Sequence, residues 1–280
     1  MSSSTPSRPH GARLDLVIGV VTILLFIFAA RVAAQRSVDA SVIHVVTALL
    51  PPQMGADGQG REAEIIRRAL RAGGIGRQIE FHVVPFTRQW ELFRSDSRFD
   101  MVTTVPVEIQ LDGLQSSPYI NYQNGIIYKD ADFPGGLGDS PFARLNGRRV
   151  VTFAGASSIL DDVRQLVSNA SMYIERANQA SHSMMFVNGL VDVVIADELI
   201  FANYTNDLLG AGYGAFMANV RFDPVFCPTP YHAVFRDESL RNAFEEGLKV
   251  IKANGTVAAI DQTFRRRYAI NGTARRKSGC

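Results

Sequence analysis

The chain predicts an α/β protein of two similar lobes, each a sheet flanked by helices, and three observations point there. One pattern occurs twice: an amphipathic helical stretch, a short polar break, an aspartate, then an apolar run ending in polar side chains. The first copy passes from Thr87-Arg88-Gln89-Trp90 through Phe99-Asp100-Met101-Val102 to Thr103-Thr104. The second passes from Ser183-Met184-Met185-Phe186 through Asn188-Gly189 and Asp192-Val193-Val194-Ile195 to Asp197-Glu198. A helix feeding a buried strand is half of a βαβ unit, and open α/β sheets bind ligands beyond the carboxyl ends of their strands. Strand-like and helix-like apolar patterns alternate along the rest of the chain. Finally, the 280 residues, less an amino-terminal leader, suffice for two lobes of roughly 100 to 130 residues.

The elements follow in order. Val42-Ile43-His44-Val45-Val46 fits a buried strand, and Pro51-Pro52-Gln53-Met54-Gly55 breaks it into a loop. From Arg61 to Ala72, Ile65, Ile66, Ala69 and Leu70 share one helical face, with Gly73-Gly74 as the stop. Ile79, Phe81 and Val83 alternate with Glu80 and His82 as a strand does, and Trp90 lies at the start of the next helix. Around Pro134-Gly135-Gly136-Leu137-Gly138 the chain loosens, and a second series opens at Leu145-Asn146-Gly147-Arg148-Arg149-Val150-Val151. There Val150, Val151 and Phe153 make a strand and Gly155-Ala156-Ser157-Ser158 a turn. Ile159, Leu160, Val163, Leu166 and Val167 make the stripe of one helix. Small residues between strand and helix expose N–H groups at a positive helix end, which suits an anion; Ser157 or Ser158 can equally cap the helix.

The amino terminus carries Arg8 and Arg13, an apolar run over residues 16–30, and Val32-Ala33-Ala34 as a cleavage signal. Residues 1–34 read as an export signal, with a retained anchor over residues 14–34 as the other reading, since the run is short for a membrane span. The expected location is the periplasm. The formal charge of +2 resides mostly in that leader, so the rest is near neutral and nucleic acid is not expected as a partner. Arg265-Arg266-Arg267 reads as a solvated helix end. Cys227 and Cys280 are the only cysteines, the second in a polar, basic tail, so no structural disulfide is expected. No His or Cys pair has ligand spacing in the sequence, so neither metal nor cofactor is expected.

The order of motifs resembles the bacterial extracellular solute-binding proteins of family 3, the amino-acid-type periplasmic receptors of ABC transporters. The matching stretches are Trp90 to Asp100, Ser116-Ser117-Pro118-Tyr119, Leu145-Asn146-Gly147-Arg148-Arg149-Val150, Phe186 to Asp197, and Tyr231-His232-Ala233-Val234-Phe235 with Glu238 to Phe264. The resemblance implies a two-lobed periplasmic-binding-protein type II architecture joined by two hinge strands. Residues 35–128 and 229–280 would form lobe 1 and residues 129–228 lobe 2, with crossings near Tyr128-Lys129 and Thr229-Pro230. It also implies a monomer that closes on a small polar solute and delivers it to an inner-membrane permease.

One departure limits the ligand. The family's arginine before the Ser-x-Pro-Tyr stretch, which grips a carboxylate, has no counterpart here, and Glu108-Ile109-Gln110 holds its place. Asp197 stands where the family places an acid for the ligand's ammonium group, or it caps the following helix. Thr103 and Thr104 end a buried strand facing the cleft, and Trp90 can stack on a ligand or pack in the core. The candidate ligand-binding residues are therefore Trp90, Thr103, Thr104, Ser157, Ser158 and Asp197, with no catalytic group. Replacing Asp197 by alanine is expected to weaken binding far more than folding. Two other readings stand beside the receptor: a membrane-tethered sensing or accessory module, and a dehydratase-like enzyme using Glu108 and Asp197.

Overall fold

The computed structural model describes residues 42–160 and 163–268. The first part of the chain forms β1 (Val42–Ala48), α1 (Arg61–Ala72), β2 (Gln78–Val84), α2 (Arg88–Ser95) and β3 (Met101–Pro106). Short β4 (Leu114–Gln115) and β5 (Ile120–Tyr122) lead into β6 (Asn124–Lys129). Then come β7 (Arg149–Phe153), α3 (Ala156–Ile159), α4 (Val163–Asn169), β8 (Met172–Arg176), α5 (Ala180–Val187), β9 (Val193–Asp197) and α6 (Glu198–Leu209). The chain continues through α7 (Tyr213–Met217), β10 (Val220–Asp223), β11 (Thr229–Phe235), α8 (Glu238–Ala253) and α9 (Thr256–Tyr268). The stripe expected as one helix after Gly155 divides between α3 and α4.

Two sheets result. The first has the order β2-β1-β3-β11-β4, with β5 also on β11; the second, β8-β7-β9-β6-β10. In each, the second and third strands run parallel, Val45 opposite Met101 and Val151 opposite Val194, and the fourth runs antiparallel to the third. The repeat seen in the sequence is thus a repeat of topology. It extends to single bonds. The His44 N–H donates to Asp100 Oδ2 at 2.8 Å and the Asp100 N–H to the His44 carbonyl at 2.9 Å. The Arg149 N–H donates to Asp192 Oδ2 at 2.8 Å and the Asp192 N–H to the Arg149 carbonyl at 2.9 Å. Each aspartate fixes the start of a third strand against its neighbour.

The fourth strand of each sheet enters from the other. Strand β5 belongs to the first sheet and β6 to the second, so the chain crosses at Gln123, upstream of the expected Tyr128-Lys129. It returns over residues 224–228, just before the expected Thr229-Pro230. Gln123 Nε2 donates to the Phe226 carbonyl at 3.0 Å, and Asn124 Nδ2 to Thr229 Oγ1 at 3.2 Å, so the two crossings are bonded to each other.

Each sheet has its own core. On the first, α1 buries Ile65, Ile66, Ala69 and Leu70, and α8 buries Leu240, Phe244, Leu248 and Ile251. At roughly 2 kcal/mol per large side chain, those four residues of α8 contribute about 8 kcal/mol of gross burial. The helices approach closely because a Cβ on Gly247 would lie 1.8 Å from the Ala69 carbonyl oxygen, and one on Gly73 would lie 1.9 Å from that of Ala243. On the second sheet, Ile127, Val151, Phe186, Val194, Phe201 and Phe222 pack together.

Cys227 is disulfide-bonded, which overturns the expectation of no structural disulfide. The sequence holds one other cysteine, Cys280, beyond the described residues. Polarity of the tail was the wrong criterion: residues 269–280 can span roughly 40 Å when extended. The leader and tail lie outside the described residues, among which no helix is long and apolar enough to cross a membrane.

Candidate ligand-binding cleft

Thr103 and Thr104 within β3, the Gly155 turn after β7 and Asp197 at the carboxyl end of β9 bear the polar groups that the sequence singles out. Asp197 ends β9 and caps α6. Its Oδ1 accepts the N–H groups of Leu199 and Ile200, both at 3.1 Å, and Gln53 Nε2 at 3.2 Å; its Oδ2 accepts the Gln123 N–H at 3.0 Å. The side chain is thus turned inward, buried, and bonded across to the loop after β1. Of the two sequence readings of Asp197, the capping one is seen directly. Burial raises its pKa; the nearby Arg61 charge, the cap N–H groups and Gln53 oppose this.

Thr103 and Thr104 lie within the buried β3 rather than at its end as expected, because pairing with β11 carries the strand on to Pro106. Thr103 Oγ1 donates to Thr47 Oγ1 at 2.7 Å, and Thr104 Oγ1 donates to Glu62 Oε1 at 2.8 Å. Thr104 takes φ 55°, a left-handed conformation costly for a β-branched residue. It is held there by its N–H, bonded to the Tyr119 hydroxyl at 3.1 Å, and by its carbonyl, which accepts the Trp90 indole N–H at 3.2 Å. Trp90 is buried edge-on against Phe86, at 5.4 Å between centroids. Phe86 in turn meets Phe153, at the end of β7, at 6.3 Å, a second contact between the halves.

After β7, the turn carries the anion-binding character read from Gly155-Ala156-Ser157-Ser158, and a protein carboxylate fills it. Glu175 on β8 accepts the Gly155 N–H at 2.8 Å, the Ser157 N–H at 3.0 Å and the Tyr173 hydroxyl at 2.8 Å. Burial alone would raise the Glu175 pKa; these bonds together outweigh it and hold the group below its usual range. Ser158 is exposed, with its N–H bonded to the Gly155 carbonyl.

The structure adds residues that the sequence reading left out. Glu62, in the first turn of α1, is fully buried and accepts the hydroxyls of Thr104, Tyr119 and, at 2.9 Å, Tyr122. Burial pushes its pKa up against those three bonds. A signal existed: Glu62 lies three, four, seven and eight residues before Ile65, Ile66, Ala69 and Leu70, on the apolar stripe itself. Beside it, Arg61 bonds Gln53 Oε1 at 3.1 Å, the Asn121 carbonyl at 3.2 Å and Asp261 Oδ1 at 2.7 Å. A continuous relay therefore runs Asp261, Arg61, Gln53, Asp197 from α9 into the second half. Helix α9 makes a further tie: Arg265, exposed with Arg266 and Arg267 at the helix end as expected, lies 3.7 Å from the buried Glu198 of α6. Glu108 is exposed and lines a cavity of about 160 Å³ with Ile159, Leu160, Phe226 and Thr229.

No family model matches the chain, and no curated protein sequence matches it. Solved structures do. An ancestral arginine-binding protein bound to arginine is 21% identical, covering 80% of this chain and 98% of its own, with a TM-score of 0.61. The VFT2 domain of BvgS from Bordetella pertussis is 20% identical over 83% of this chain and 97% of its own, with a TM-score of 0.62. An ancestral amino acid-binding protein, described as a precursor of cyclohexadienyl dehydratase, is 20% identical over 82% and 98%, with a TM-score of 0.61. The chain therefore has the two-sheet fold of the amino-acid-binding proteins of ABC transporters, the periplasmic-binding-protein type II architecture.

Proposed function

We propose that the chain is an exported solute-binding protein whose lobes close on a small polar solute and present it to an inner-membrane ABC permease. The lobes are the halves built on the two sheets, and the protein acts as a monomer. The observation carrying this reading is the buried Asp197 at the carboxyl end of β9, bonded to Gln53 of the other half and backed by buried Glu62. Two acids against Arg61, itself engaged by Asp261, favour a cationic or hydrogen-bonding solute over a plain carboxylate. Such a solute would displace Gln53 from Asp197 and take hydroxyl contacts from Thr103 and Thr104, with Trp90 packing behind them. Ser157 and Ser158 would line the opposite wall. The absence of the family's carboxylate-gripping arginine and the occupation of the Gly155 turn by Glu175 agree with this choice. Binding rather than turnover is the assignment, since Glu108 is exposed whereas Asp197 already accepts four donors.

Thermal-shift screening of arginine, lysine, diamines, sugars and organic acids, followed by calorimetry on the hits, tests this reading. Saturable binding of a cationic solute, weakened at least tenfold in Asp197→Asn, is the expected result. Stabilisation only by organic acids would overturn the charge argument, and turnover in a metabolite mixture would overturn the assignment as a receptor.

A second reading is a membrane-tethered sensing module that retains residues 14–34 on the same fold. The intact mass of the protein recovered from cells separates the two: loss of residues 1–34 supports the free receptor, and retention supports the tethered module.

A further inference from the structure

The fold assembles a second cluster, far from Asp197, that no spacing in the sequence reveals. We propose that His44, Glu80 and His82 form a binding site for a divalent transition-metal ion of the zinc class. Glu80 and His82 are two residues apart on β2, so they project from one side of that strand, and His44 projects beside them from the adjacent β1. Their ligand atoms all lie within 4.8 Å of one another.

The separations suit a shared ion. His44 Nδ1 is 3.1 Å from His82 Nε2, 3.7 Å from Glu80 Oε2, and His82 Nε2 is 3.5 Å from Glu80 Oε1. Ligands about 2.0 to 2.2 Å from a tetrahedral zinc ion stand about 3.4 Å apart, so shifts of a few tenths of an ångström would seat one. Glu80 offers one oxygen to each imidazole and, at 53% side-chain exposure, is free to make that shift. The two rings are better held: His82 packs edge-on to Phe99 at 5.2 Å, and its centroid is 5.3 Å from that of His44. Two imidazole nitrogens in direct contact share at most one proton between them. An ion that takes a lone pair from each, with a carboxylate to balance charge, satisfies both at once. Two imidazoles and one carboxylate are a donor set of zinc-type chemistry and leave a fourth position open to water or a further ligand.

His44 pairs with Asp100 at the amino end of the parallel β1 and β3, whereas Thr103 and Thr104 lie toward the other end. The site is therefore independent of the solute-binding reading. A bound ion would clamp the edge strand β2 to β1 through side chains as well as backbone.

Titration of chelator-stripped protein with zinc chloride, followed by calorimetry and thermal shift, tests the proposal. One ion per chain and a rise in Tm are expected, with no response to magnesium. His44→Ala and His82→Ala should each weaken binding at least tenfold, and Glu80→Gln, on an exposed side chain that folding does not need, should weaken it less. Cobalt should give the visible absorption of a low-symmetry, near-tetrahedral site in the wild type and lose it in the histidine variants. Absence of zinc binding to the wild type would overturn the proposal. So would undiminished binding after substitution of both His44 and His82, which would assign the ion to the remaining histidines, His10, His182 and His232.

Discussion

Asp197 shows how one side chain carries two duties at the residue scale. Its four accepted bonds mean that Asp197→Ala will cost folding as well as binding. Losing the cap is worth about 1 kcal/mol, and leaving the half-buried Gln123 N–H without its partner about 1 kcal/mol more. The expectation that binding suffers far more than folding therefore needs both losses measured. Asp197→Asn, which keeps a capping oxygen, should recover roughly the cap's share; denaturant midpoints of the two variants check this. His182 on α5 is buried, and its pKa falls to about 4 because burial penalises the charged form. The unfolded state then binds more protons between about pH 6.5 and 4, so stability falls as pH drops through that window, by up to roughly 3 kcal/mol. Glu62 has the opposite sign. Its raised pKa gives stability that is present below about pH 4.5 and lost as pH rises through the folded value. Glu62→Gln should remove that loss, which urea titrations of wild type and variant across pH 4 to 8 will show. Cys227→Ser should lower stability by about 2 to 4 kcal/mol relative to the oxidised protein, and a reducing agent should lower the wild type toward the variant.

Legibility differed sharply between elements. Helix α1, β2 and β7 follow directly from apolar periodicity, and the paired aspartates Asp100 and Asp192 have the structural role that their position before a strand suggests. The polar partners were harder to see. His44 and His82 are 38 residues apart and meet only because β1 and β2 are neighbours, while Gln53 and Asp197 are 144 apart and meet only because two separate sheets converge. Neither pairing leaves a local pattern. The same holds for Glu175, whose service to the Gly155 turn depends on the parallel pairing of β7 with β8. Close approach of α1 and α8 is a property of this kind that can be tested directly. Gly247→Ala must push the Ala69 backbone away, and a cost of about 1 to 3 kcal/mol is expected from overpacking, read as a Tm several degrees lower. An alanine at Gly74, where a Cβ would meet nothing within 4 Å, provides the contrast: its positive φ of 86° leaves strain alone to act.

Taken whole, the molecule repeats one topological plan, and the exchange of fourth strands joins the copies. Among the described residues, the two halves touch through Gln53 and Asp197, Phe86 and Phe153, and Arg265 and Glu198, and Tyr268 of α9 packs against the second core. Gln53→Ala should therefore loosen the pair without unfolding either half, measurable as a larger radius of gyration by small-angle scattering at an unchanged circular dichroism spectrum. The two tethers near Gln123 and Phe226 are fastened to one another rather than set apart. Side by side, they act as one pivot: the halves are held together at a point and stay free to turn about it in more than one direction. Spin-label pairs set along different lines across the halves would then report different components of that turning.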